Sequence, residues 1–173
     1  MNRMKAAIGT RNLVIIGTMS ALLITVQVAL AFLPNIELVS LLIILSTIVF
    51  GWKTLYIIYT FAIVEGFLYG FGTWWIMYLY VWTILMLITM AFKNQRSPFF
   101  WAILSGAFGL SFGTLCSIPY FFIGGFPAMI STIISGILFD AVHCIGNYAI
   151  ALTLFKPLYY LLNLINTKIF ISE

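Results

Sequence analysis

The chain has 173 residues, of which 64% are apolar and only 7% charged, with a formal net charge of +4. A soluble domain ordinarily carries about 45–50% apolar and about 25% charged residues, so too few charges are present to cover a chain of this size in water, and the apolar excess equally excludes disorder. The basic residues are scattered singly between apolar runs, which excludes a nucleic-acid-binding patch and makes them markers of orientation in a bilayer.

A membrane-spanning helix needs about 20 apolar residues. The first such run is 13–33. Arg3, Lys5 and Arg11 precede it, and Ala29-Leu30-Ala31 near its end looks like a signal-peptidase site. The run is longer than the about 7–15 residues of a signal-peptide core, so it is read as a span. The runs 38–50, 54–70, 75–92, 99–123 and 128–155 follow. They are too continuous for the alternating pattern of a transmembrane barrel, and open strands would leave edges unsatisfied in lipid. The run 38–50 is short, and the distribution of charge decides for it. With six spans and an inner N-terminus, Arg3, Lys5, Arg11, Lys53, Lys93, Arg96, Lys156 and Lys168 all fall in the inner stretches 1–12, 51–53, 93–98 and 156–173, as the positive-inside rule requires. The expectation is a single all-α domain, 1–173, a polytopic membrane protein of six transmembrane helices with both termini in the cytoplasm. The outer connections are then 34–37, 71–74 and 124–127, whose Pro, Gly and aromatic residues suit tight turns and interfacial anchoring.

Small residues mark where helices meet. Ser105, Gly109, Gly113 and Ser117 recur every four residues in the fifth run, a smooth stripe for close packing. Gly17 and Ala21 form a shorter version in the cytoplasmic half of the first, open either to internal packing or to a partner protein. Cys116 and Cys144 lie in apolar segments without CxxC or metal-ligand spacing, so buried free thiols are expected, and neither a disulfide nor a metal is.

Glu65, Asp140 and His143 are ionisable residues inside spans, where a mid-span Asp costs about 2.5–3.5 kcal/mol on insertion scales. Asp140, His143, Cys144 and Asn147 follow i, i+3, i+4, i+7 spacing and share one helix face, where Asp140 and His143 can pair. Gln27, Glu65, Ser117 and Tyr120 lie in outer halves of their spans, and Trp74, Trp75 and Tyr78 cluster at the outer end of the fourth. The combination points to an aromatic-walled pocket with a few polar anchors, entered from outside. A structural Asp–His–Asn network and an interfacial aromatic belt are the alternatives. Enzyme chemistry has little support. The sequence contains no HExxH, GxSxG or phosphate-binding loop, so no catalytic residue, metal or cofactor is assigned, and the chain cannot drive uptake with ATP by itself.

Three stretches carry a family resemblance that covers essentially the whole chain. Leu33-Pro34-Asn35-Ile36-Glu37-Leu38-Val39-Ser40 looks like a first outer loop and second-helix start, and Gly17-Thr18-Met19-Ser20-Ala21 like a small-xxx-small element usually written Ala-xxx-Ala. Gly136-Ile137-Leu138-Phe139-Asp140-Ala141-Val142-His143 looks like a sixth-helix Pro-Phe-Asn-Leu-Ile-Lys element. In these features the chain resembles the substrate-binding S components of energy-coupling factor (ECF) vitamin transporters. Leu138 stands where Pro is common, Asp140 for Asn and His143 for Lys, and these changes bring riboflavin and folate themselves into doubt. The resemblance implies a multi-pass protein of the bacterial cytoplasmic membrane. It would capture a water-soluble vitamin or precursor under a lid made by its first loops, then tilt on a transmembrane coupling subunit driven by two cytoplasmic ATPases. It gives the ligand role to Asp140 and His143 and places Gly17 and Ala21 on the docking surface for the coupling subunit. Glu37, Glu65, Trp75, Tyr78, Tyr120 and Asn147 complete the expected substrate contacts. A vitamin B6 compound, a pyrimidine or thiamine precursor and a corrinoid are all compatible ligands. A stand-alone channel or facilitator is the alternative class, and an intramembrane enzyme a third.

Overall fold

A computed structural model describes residues 9–170, the side chains of 169 and 170 excepted. Arg3 and Lys5, two of the expected orientation markers, lie outside the described residues. The described residues form helices and no strand, in the order α1 (Thr10–Leu30), α2 (Val39–Phe50), a 3-10 turn (Gly51–Lys53), α3 (Thr54–Tyr69), α4 (Thr73–Ala91), α5 (Pro98–Cys116) and α6 (Ile118–Phe170). Among them, five runs are long and apolar enough to cross a membrane: Thr10–Leu30, Val39–Tyr69, Thr73–Ala91, Pro98–Cys116 and Ile118–Lys168.

Local chemistry sets the boundaries. Gly51 takes φ 60° where α2 ends, a left-handed conformation that only glycine adopts without strain. Ser97 caps α5, its hydroxyl accepting the Phe100 N–H at 3.4 Å, and Pro98 fills the first helical turn, where a missing N–H costs nothing. Gly124 and Gly125 are non-helical and interrupt α6, with Gly125 at φ 70°. The break falls inside 124–127, where the sequence places a connection, and divides a short segment, 118–123, from the long helix that follows.

The bundle is built around α2. Every residue from Val39 to Thr47 is buried, the mark of a helix surrounded by others, and α2 touches α1, α3, α4 and α6. At 12 residues it is about 18 Å long, short of the roughly 30 Å of a hydrocarbon core. The expected span 38–50 thus forms as a helix shorter than the hydrocarbon core and buried among its neighbours.

Hydrogen bonds and ring contacts fix the relative directions of the other helices. Ser20 donates to the Ile57 carbonyl, and Gln27 shares a cavity with Glu65, so α1 and α3 run the same way. Trp75 donates to Ala62, and Tyr59 bonds Thr83, so α4 returns along α3. Trp82 packs on Phe112, and Phe92 on Phe100, which makes α5 antiparallel to α4.

The stripe read in the fifth run packs α5 against α6. A Cβ on Gly109 would stand 2.8 Å from the His143 carbonyl oxygen, and one on Gly113 2.5 Å from an Asp140 carboxyl oxygen. Only glycine allows so close a crossing. α6 continues as helix past the last apolar run, through the stretch assigned to the inner side. Leu162 is buried, Tyr159 stacks on Phe155, and the Arg96 guanidinium lies over the Tyr159 ring, so tertiary packing holds this segment helical despite Pro157. Outward faces carry Phe67, Phe122, Leu138 and Ile145, an apolar exterior of the kind that lipid solvates.

Candidate functional site

The connection from α1 to α2, residues 31–38, folds back onto the bundle. Asn35 adopts φ 61°, tolerated by Asn better than by most side chains, and sharpens the turn. Gly146 makes room for the returning chain, since a Cβ there would stand 2.7 Å from Ile36 Cδ1. Glu37 is thereby delivered to the start of α2 and the face of α6. Its Oε2 accepts the Ser40 N–H at 2.8 Å, and its Oε1 meets His143 Nε2 at 3.3 Å. Burial by itself raises the Glu37 carboxyl. The hydrogen bond and charge of His143, with the bonds from Ser40, outweigh it and hold the carboxyl below its ordinary value.

Below this loop is a cavity of about 280 Å³. Its rim is Leu33–Glu37 together with Gln27, Leu30 and Ala31, and its inner wall is Tyr78, Trp82, Phe112 and His143. The inner wall is held from behind by ring contacts. Tyr78 meets Trp82 edge-on at 5.4 Å, Trp82 meets Phe112 at 5.5 Å, and Phe112 meets the His143 ring at 5.0 Å. Trp82 is 2% exposed, and its indole N–H has no hydrogen-bond partner among the described residues. A buried N–H in that state is costly. A second cavity of about 310 Å³ adjoins the first, lined by Gln27, Ala31, Glu65, Tyr69, Trp74 and Tyr78. Gln27, Ala31 and Tyr78 belong to both, and the Gln27 amide donates to the Tyr78 hydroxyl at 3.4 Å between them.

The expected site residues separate into two groups. Glu37, Tyr78 and His143 line the first cavity, and Glu65 and Tyr78 the second. Asp140, Asn147, Trp75 and Tyr120 line neither. Asp140 Oδ1 accepts the Gly113 N–H at 2.9 Å, tying α6 to α5. Asn147 donates to Ser40 Oγ and to the Ser105 carbonyl, joining α2, α5 and α6. The Trp75 indole donates to the Ala62 carbonyl at 2.9 Å and packs edge-on with Phe71, and Tyr120 packs against the core. The expected Asp140–His143 pair is replaced by two others, Asp140 with Gly113 and His143 with Glu37. The loop supplies a carboxylate that a reading of one helix face leaves out.

Sequence reasoning missed Trp82 and Phe112 as wall residues. In helices this rich in aromatics, nothing but the rotational phase of α4 and α5 distinguishes a wall ring from a core ring. Gln27 was more legible, as a lone amide inside an apolar span. Among the described residues no group of three or more His, Cys, Asp and Glu side chains is placed to hold a metal. Cys116 and Cys144 are free. Gly17 and Ala21 are exposed on α1, and among the described residues a Cβ at Gly17 would have no neighbour within 4 Å. Comparison with known proteins finds no match for the chain, whether among protein-family models, curated proteins or solved structures.

Proposed function

We propose that this chain is the membrane-embedded substrate-binding subunit of an ECF-type importer. It captures a water-soluble vitamin or related micronutrient from outside and delivers it with a transmembrane coupling subunit and two ATPases. The observation that carries the reading is the cavity under residues 31–38. It joins flat aromatic walls to a few polar groups, Glu37, His143 and Gln27, the usual make-up of a small-molecule site. The open Gly17–Ala21 face supports the coupling part. It is exposed, and a Cβ at Gly17 would meet nothing within 4 Å among the described residues, which leaves room for close approach of another helix.

In this reading α2 and α3 count as two passes, six in all, with both termini inside. The loop 31–38 is the outer lid, and solute enters when it lifts. Glu37 and His143 bond the polar edge of the solute, and Tyr78, Trp82 and Phe112 sandwich its ring. The chain carries no ATPase motif, so energy enters through partners. A thermal-shift screen of the purified protein against water-soluble vitamins tests the proposal. A ligand at about 100 times its Kd stabilises by about 2.7 kcal/mol, so one vitamin should raise the melting temperature by several degrees and His143→Ala should remove the shift. A screen in which no water-soluble vitamin moves the transition overturns the proposal.

A further inference from the structure

We propose that the second cavity is a subsite for a cationic nitrogen, with Glu65 as its counter-charge. The inference rests on the proposed solute-binding role and narrows the class of solute to compounds with a positively charged amine or ring nitrogen. Glu65 is 2% exposed, lines the cavity, and its Oε1 has no hydrogen-bond partner among the described residues. A buried carboxyl oxygen without a donor is expensive. No hydrogen-bond donor among the described residues offsets it, whereas a ligand bearing a cation or charged donor would. The other walls suit the same occupant. Trp74, Tyr69 and Tyr78 line the same cavity as Glu65, and aromatic faces attract cations, most strongly when water is excluded.

The neighbouring cavity does not offset this charge. Its one acidic side chain, Glu37, is paired with His143, and no Lys or Arg among the described residues lines either cavity. An anionic solute would meet the Glu65 carboxyl with no Lys or Arg beside it. The two cavities meet at Gln27 and Tyr78, so one molecule can place its charged nitrogen at Glu65 and its hydrogen-bonding edge at Glu37 and His143.

Three flat probes of similar shape and different charge test this: 1-methylnicotinamide (cation), nicotinamide (neutral) and nicotinate (anion). Each is titrated into the full chain in detergent by calorimetry. The cation should bind about tenfold or more tighter than the neutral ring, as expected for a desolvated charge-assisted and cation–π contact, and the anion weakest. In Glu65→Gln the ratio of cation to neutral affinity should fall toward one, and Trp74→Leu should lower it in part, whereas Glu37→Gln should preserve the preference. The proposal is overturned if none of the three binds, if nicotinate binds as well as the cation, or if the preference follows Glu37 instead of Glu65. Should Glu65→Gln fail to fold, the wild-type charge series and Trp74→Leu still decide. Calorimetry needs no coupling subunit, so a failure of ATP-driven uptake would sink the importer reading and leave this result intact. Uptake without charge preference would do the reverse.

Discussion

At the scale of single residues, the centre of the site is the contact between Glu37 and His143, which lie 106 positions apart in sequence. Truncating one partner of a buried hydrogen-bonded charged pair costs about 2–5 kcal/mol in binding. His143→Ala and Glu37→Gln should therefore each weaken solute affinity by well over tenfold in calorimetry. Asp140→Ala should act differently. It removes the acceptor for the Gly113 N–H, so it should lower stability by about 1–3 kcal/mol and affect affinity less than His143→Ala does. Wild-type affinity in a folded His143→Ala protein would remove His143 from the site. Glu37 also predicts a dependence on pH. Its folded carboxyl lies below the ordinary value of 4.5, so its stabilisation is fully present above that value and is lost as pH falls through the lower folded value. Melting curves in detergent over an acid series should show wild type losing stability in that range and Glu37→Gln losing less. Of the proposed site, His143 stands out in the sequence by its cost inside a span, and Glu37 only through its loop motif. Their partnership was not legible, because it depends on how residues 31–38 fold back, which no local periodicity encodes.

At the scale of elements, two small-residue faces with similar spacing have opposite surroundings. On α5, Gly109 and Gly113 are pressed against His143 and Asp140; on α1, Gly17 faces open space. Gly113→Leu should destabilise the protein by about 1–3 kcal/mol or more through overpacking, visible as a lower melting temperature. Gly17→Leu should leave the melting temperature and solute affinity nearly unchanged and abolish uptake with the coupling subunit. Equal damage from both to stability would mean that α1 packs internally as α5 does. The spacing of the α5 stripe was enough to foretell a close helix crossing, since four-residue repeats of small side chains share one face, but not that the partner is α6. The extent of α6 was not legible. Pro157 and the end of the apolar run both argue for a stop, and the packing of Tyr159 and Leu162 overrides them.

At the scale of the whole molecule, composition points to lipid as the solvent, and charge placement is the basis of the proposed orientation. Cysteines introduced at Asn35, Thr73 and Gly125 should react with a membrane-impermeant thiol reagent from outside, and one at Asn94 should not. Outside labelling at Asn94 would break the six-pass account, which rests on the short, buried α2 turning back into α3 at Gly51. The central claim is that the chain binds a solute and depends on partners to move it. The most direct measurement is uptake of the vitamin identified by thermal shift into proteoliposomes. One set carries the chain alone, and another carries it with a coupling subunit and two ATPases. The account predicts ATP-dependent accumulation in the second set and none in the first. Equilibration of the solute through the chain alone, without ATP, would contradict it and identify a facilitator.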